Sequence, residues 1–480
     1  MIKRPMLLSS ISVVFCILLY YFFGLYPFIA GLLLCLGVIA FLHKSVLNIC
    51  LFALVFLSVF ISALSLDKTV KTTAKLRGKQ FTANFIICEE TVQKKRNCMV
   101  VKSYDNGILP DKAKFYLYYS GKEFSEGEKI TAKVKAMAID GADFKRLNID
   151  GIYGRLYLMK TVGKNGCDLF YGSIGKIRKS VKGYFRKNLS YASYATLIAI
   201  LLGDKSGLSQ SLYDNVKTSG VSHIMAVSGL HLSVIMGLLF FLIDRTVKNK
   251  ILRFLLICSS IIFICALCSF SASIVRAGVM FVMFAVPPLF NRGTDRLSVL
   301  CLTVVLNMIF SPLVVLNISF QMSVAAVFAV MIVLPVYIEW LKERISFNNK
   351  FLLTVFEALL ISVFAQIFTA PFSIYAFRMI SIAAPFTTLI IALAVTLALQ
   401  LGIISYLLRF LILIPAYLLY VIDVDLAFIN RVIEAVGSIK YSAFNVPGWT
   451  SVFPAILAIS LVAGMYYINR RKENGLPHRL

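Results

Sequence analysis

The sequence predicts a polytopic α-helical membrane protein of about twelve spans, with a small β-barrel inserted near its start and held outside the membrane. Three observations predict this. The 480 residues are 59% hydrophobic and only 15% charged, with a mean hydropathy of +0.83, which is the composition of a lipid-embedded chain and excludes a soluble domain with a large core. Apolar runs close to spanning length recur along the chain, separated by short basic loops. A single polar insert, Asp67 to about Leu189, interrupts them and alternates as strands do. The net charge of +26 must fall on the parts outside the bilayer and directs them to phosphates, of lipid or of nucleic acid.

Residues 1–66 hold the first three spans, 7–25, 26–41 and 46–65. Met1–Pro5 has the form of a signal-peptide n-region, but no small-residue cleavage site follows, so the run reads as an anchor. In residues 67–173, Phe81–Ile87, Phe115–Tyr119, Lys129–Lys135 and Arg155–Leu158 alternate between turns at Asp105–Gly107 and Ser125–Gly127. About five short strands of this kind fit an OB-type barrel; a generic extracytoplasmic β domain is the competing reading. Tyr116, Tyr118 and Tyr119 are available to stack bases, with at least one of them built into the barrel wall. Cys88 and Cys98 flank the polar piece Glu89–Asn97, so a disulfide across a hairpin is open to them if the insert lies outside.

Residues 174–203 form the amphipathic, interfacial part. Ile174, Ile177, Val181, Phe185 and Leu189 recur at helical spacing, and Lys176, Arg178, Lys179, Lys182, Arg186 and Lys187 fill the positions between. Such a helix either rests on anionic headgroups or guides a polyanion.

Residues 204–468 carry the remaining spans: one through Ile243, then runs near 251–270, 274–290, 297–314, 319–338, 351–369, 383–400, 402–421 and 451–468. The pair divided at Gln400–Gly402 leaves Arg409 inside a span, and Asp423–Lys440 reads as an interfacial helix on the outer face. With this count Lys3/Arg4, Lys44, Arg245/Lys248/Lys250, Arg292/Arg296, Lys342/Arg344/Lys350 and the 469–480 tail share one side. The positive-inside rule makes that side cytoplasmic, with both termini inside and the insert outside.

The densest polar strip in an apolar run is Ser219–Ser233, SGVSHIMAVSGLHLS. Its Ser222, His223, Ser228, Gly229, His231 and Ser233 belong in hydrocarbon only if they face protein or water. They therefore line a passage, or else the histidines bond to neighbouring carbonyls in a packed bundle. On a continuous helix His223 and His231 lie about 80° apart and share a broad face; Ser228–Gly229 is a natural point for a break. Arg276 either snorkels or offers a fork to phosphate at a pore mouth. Gln321, Ser323 and Gln366 suit interhelical hydrogen bonds. The histidine spacing suits no two-His metal site, and there is no zinc pattern, phosphate-binding loop or nucleophile elbow, so neither metal, cofactor nor enzyme activity is expected.

Leu201–Gly207 followed by Ser219–His231 resembles the ComEC family of competence DNA-uptake channels. Asp143–Arg146 with Gly151–Gly154, Ser273–Ala277 and Phe320–Ser323 are similar to further family pieces, in the family's order. The resemblance implies an external OB-like domain, a bacterial inner-membrane channel and passage of single-stranded DNA into the cytoplasm. The external basic barrel and helix would collect the strand, the 222–233 strip and Gln321 would line the pore, and Arg276 would sit at its outer mouth. Members often add a C-terminal metallo-β-lactamase-like domain, whereas this sequence stops just after its last span. A separate nuclease, a cytoplasmic helicase or motor and a DNA receptor are the partners implied besides the bilayer, and an oligomer stays open. The alternative is a secondary permease for an anionic solute whose insert is a structural cap.

Overall fold

The computed structural model describes residues 10–15, 17–18, 46–93, 96–120, 124–225, 227–289, 295–344, 349–411 and 413–473. Most of the expected spans 7–25 and 26–41, Lys44, Arg292 and the end of the 469–480 tail lie outside these. The chain divides into two units: Met1–Phe185 with Ile262–Ser271 and Cys301–Asn317, and Arg186–Ile261 with Ala272–Leu300 and Ile318–Leu480.

In the first unit, α1 (Val46–Ala74) is apolar up to Leu66 and turns polar at Asp67–Lys68. The polar insert then folds as β1 (Gln80–Gln93), β2 (Arg96–Ser103), β3 (Lys114–Tyr118), β4 (Glu128–Ala136), α2 (Gly141–Ile149) and β5 (Ile152–Cys167). The strands close a barrel in the order β1-β2-β3-β5-β4, and only β3 and β5 run parallel, an arrangement compatible with the OB type. Alternation decides what points inward: Phe115, Leu117 and Tyr119 are buried while Tyr116 and Tyr118 are half-exposed on the outside. Phe85, Met99, Ile130, Val134 and Leu156 complete the core.

The hairpin expected around Glu89–Asn97 forms, but the disulfide does not. Cys98 sits opposite Thr91, and Cys88 falls at a bulge between Ile87 and Glu89. Three residues of strand, about 10 Å, separate Thr91 from Cys88, and a disulfide tolerates about 7 Å between Cα atoms. Both remain free, buried thiols. Burial pushes the Cys98 thiol up to about 12. The folded protein at pH 8 therefore leaves Cys98 unmodified by maleimide, and after denaturation without reductant both cysteines react; a Cys88–Cys98 linked peptide in the mass spectrum would contradict the register.

The helix α3 (Leu169–Asn188) begins in this unit and buries Ile174, Arg178, Val181 and Phe185, one stripe at helical spacing. Arg178 is therefore not a phosphate ligand, contrary to the sequence expectation. Its Nη1 donates to Glu126 at 2.9 Å, Nη2 to the carbonyl of Ala266 at 2.6 Å and Nε to that of Leu267 at 2.9 Å. A guanidinium can sit in an apolar stripe when a carboxylate and two carbonyls satisfy it. The turn holding Glu126 is brought close by Gly127, at φ +86, where an added Cβ would lie 2.4 Å from the Gly172 nitrogen.

The second unit contains α4 (Tyr191–Leu202), α5 (Gln210–Thr218), α6 (Gly229–Thr246), α7 (Lys250–Leu267, as far as Ile261), α8 (Ala272–Leu289) and the start of α9 (Arg296–Phe310). It continues with α10 (Ile318–Lys342), α11 (Lys350–Phe377), β6 (Met379–Ser381), α12 (Ala384–Leu407), α13 (Leu413–Gly437), β7 (Ala443–Asn445) and α14 (Val452–Glu473). Among the described residues seven helices are long and apolar enough to cross a membrane: α6, α7, α10, α11, α12, α13 and Gly448–Arg470, which includes most of α14. The polytopic helical class holds on these seven.

Three boundaries differ from the sequence reading. α4 is largely buried rather than interfacial, because Ala195, Leu197, Ile198, Ala199 and Ile200 pack inward on all sides. The described turn after α12 falls at residues 408–411, which takes Arg409 out of any span and into the turn. Asp423–Gly437 continues α13 without a break and is no separate interfacial helix. Two of its polar groups have partners: Asp423 accepts from Ser190 Oγ at 2.9 Å and Asn430 from Thr196 at 2.8 Å.

Candidate functional site

The Ser219–Ser233 segment is not one helix. It leaves α5 through Gly220, whose φ of +77 turns the chain, and runs through an irregular stretch whose Val221, Ile224, Met225 and Val227 are buried. An added Cβ on Gly220 would meet Ala384 Cβ at 2.4 Å and Ser381 Cβ at 2.8 Å. Ser381 is a hub. Its hydroxyl lies 2.9 Å from the carbonyl of Thr218 and 3.1 Å from that of Ser442, and its own carbonyl accepts from Gln366. β6 and β7 pair around it, with Ser381 opposite Ala443.

The break falls at Ser228–Gly229, as the sequence suggests: Ser228 is the N-cap of α6. The Ser228 amide donates to Nδ1 of His231 at 3.2 Å, the returning half of a capping box made with imidazole in place of the usual carboxylate. Because Nδ1 accepts, the neutral ring carries its proton on Nε2. His231 is fully buried, and among the described residues Nε2 has no hydrogen-bond partner.

Arg276 lies in the first turns of α8 and is 2% exposed. Nη2 donates to the carbonyl of Ser319 at 3.0 Å and the guanidinium faces the Phe320 ring at 5.6 Å. Nε and Nη1 have no partner among the described residues. Snorkelling is excluded by this burial. α6 and α8 approach closely at Gly229, where an added Cβ would lie 3.8 Å from Ala277 Cβ. The two elements thus carry three buried N–H groups with no protein acceptor among the described residues, an arrangement that suits an oxygen-rich or anionic ligand.

The other expected lining residues divide. Ser222, His223, Gly229 and Ser233 are exposed, Ser228 and Gln321 half-buried. The shared helical face expected for His223 and His231 is not formed, because His223 sits in the turn before the helix starts and only His231 is buried.

A family model described as Competence protein matches residues 200–471, which takes in this whole site. The chain belongs to the competence protein family. ComE operon protein 3 of Bacillus subtilis (strain 168) is 21% identical over 206 residues, 43% of this chain and 25% of that protein; the match thus spans a quarter of that relative's length. No solved structure matches.

Of the expected DNA contacts in this competence family member, Lys176, Lys179, Arg186 and Lys187 are exposed and Lys182 is half-buried, while Arg178 is withdrawn into its ion pair. Tyr119 is structural, its hydroxyl donating to Glu90. Among the described residues no group of three or more His, Cys, Asp or Glu side chains is placed to hold a metal. Sequence reasoning missed Ser381 and the Ser190–Asp423 and Thr196–Asn430 pairs. Asp423 and Asn430, two polar residues seven apart on an apolar helix, were the available signal.

Proposed function

We propose that this competence family member is a multi-pass channel of the bacterial inner membrane that passes single-stranded DNA into the cytoplasm during natural transformation. In this reading both termini lie in the cytoplasm and the barrel outside, the orientation that the positive-inside rule favours for these loop charges. The observation that carries the reading is the set of partnerless buried N–H groups on His231 and Arg276 inside a largely apolar helical unit. Left unmet, each costs about 1–3 kcal/mol; the oxygens of a passing phosphodiester chain satisfy them, with a charge-assisted bond to the guanidinium. Lys176, Lys179, Lys182, Arg186 and Lys187 gather the polyanion through phosphate pairing that weakens with salt, and Tyr116 and Tyr118 stack bases. Gln321 and the exposed Ser222, His223, Gly229 and Ser233 continue the polar lining. A cytoplasmic helicase or motor, a DNA receptor and a separate nuclease act with it.

The test is a deletion strain complemented with wild type, His231→Ala or Arg276→Met at matched membrane levels. Deletion abolishes transformation, and each variant lowers transformant counts by about tenfold or more, the factor that 1.4 kcal/mol carries. Normal transformation after deletion would sink the proposal. Loss of small-anion uptake with DNA uptake intact would instead install a permease.

A further inference from the structure

The first unit holds a cavity of about 470 Å³ that the channel reading does not use. One wall is α1, where Ser58, Ile61, Ser62 and Thr69 recur at helical spacing and set hydroxyls beside an apolar side chain. Asn148, at the end of α2, and Phe310, at the end of α9, also line it. The wall is two-natured along its length. Ile61 and Phe310 are 58% and 80% exposed at the apolar end, and the chain becomes charged at Asp67–Lys68, just before Thr69. That change of character is the one a helix shows where it leaves a bilayer, and the cavity runs along both sides of it. At the polar end Asn148 is 5% exposed, and its Oδ1 has no hydrogen-bond partner among the described residues. A buried carboxamide oxygen without a donor needs one from outside the protein.

We infer that this cavity holds one phospholipid whose headgroup carries a hydrogen-bond donor, with the donor on Asn148 Oδ1, the glycerol region along the α1 hydroxyls and an acyl chain against Ile61 and Phe310. Hydroxyl or ammonium headgroups meet the requirement; a choline headgroup has no donor and does not. A lipid held there adds a tie between the end of α1 and the base of the barrel, beside the direct contacts of α1 with β5.

The test uses the full chain purified in detergent and exchanged with phosphatidylglycerol, phosphatidylethanolamine or phosphatidylcholine, read by native mass spectrometry. One molecule of either donor-bearing lipid stays bound under activation that strips phosphatidylcholine. Asn148→Ala removes the acceptor and Ser62→Phe fills the cavity from the α1 side, and each lowers retention about tenfold or more, the ratio for 1.4 kcal/mol. Equal retention of phosphatidylcholine overturns the inference. So does retention unchanged in Ser62→Phe, a variant that leaves Asn148 and the barrel untouched.

Discussion

Replacing Arg178 by Ala destabilises the protein by about 3–5 kcal/mol and leaves the salt dependence of DNA binding unchanged. The side chain is 7% exposed and its partner Glu126 15%, so truncation strands a carboxylate in a poorly solvated place, the costly way to break a buried pair. It also releases the carbonyls of Ala266 and Leu267 at the end of α7, two of the acceptors a helix terminus leaves over. Glu126→Gln keeps one hydrogen bond and costs less; removing both partners together, as Arg178→Met with Glu126→Leu, costs less than Arg178→Ala alone. Denaturant unfolding in detergent micelles measures the destabilisation, and oligonucleotide titrations at several salt concentrations measure the slope. Unchanged stability with a shallower slope would restore Arg178 to the DNA-binding set. For Lys179 or Lys187, both exposed, the opposite pattern holds: stability stays, and the slope falls by about one for each phosphate that is no longer neutralised.

Replacing Gly220 by Val has an effect of similar size and acts directly on the candidate site. The backbone at φ +77 costs a residue with a Cβ about 1–2 kcal/mol. The Cβ would stand 2.4 Å from that of Ala384 and 2.8 Å from that of Ser381, and overpacking of this kind costs a further 1–3 kcal/mol, roughly. Relief requires moving the 220–228 stretch away from β6 and α12, which shifts the N-cap at Ser228 and with it the His231 ring. Melting temperature and transformation both fall. Gly237→Val is the control: it sits mid-helix with nothing within 4 Å of the added Cβ and leaves both near wild type. If the two variants behaved alike, the packing of Gly220 against Ser381 and Ala384 would not be what positions the site.

Much of this was legible locally. Alternation over Phe115–Tyr119 identified a strand and foretold that one of the tyrosines would be structural, because side-chain direction in a strand depends only on position. Ser228–Gly229 was legible as a break since serine caps helices and the two interrupt an apolar run. Arg178 was misread because its spacing is ambiguous: it lies on the border of the apolar stripe, and only the arrival of Glu126, fifty-two residues earlier, makes its burial tolerable. The Cys88–Cys98 hairpin was legible and the bonding of its cysteines was not, because the register that starts at Gln93 opposite Arg96 sets Cys98 opposite Thr91, three residues from Cys88.

By itself the sequence determined the class of the protein: composition and the length of apolar runs admit only a membrane-embedded helical body, and period-two alternation admits only strands in the insert. Those are properties of neighbours along the chain. The tertiary structure alone decided which polar groups meet a partner. His231 and Arg276 are set apart from the other polar residues by burial with N–H groups unmet, and Asn148 likewise by its oxygen. Whether a hydrogen bond is satisfied depends on atoms brought from distant segments, which spacing does not encode.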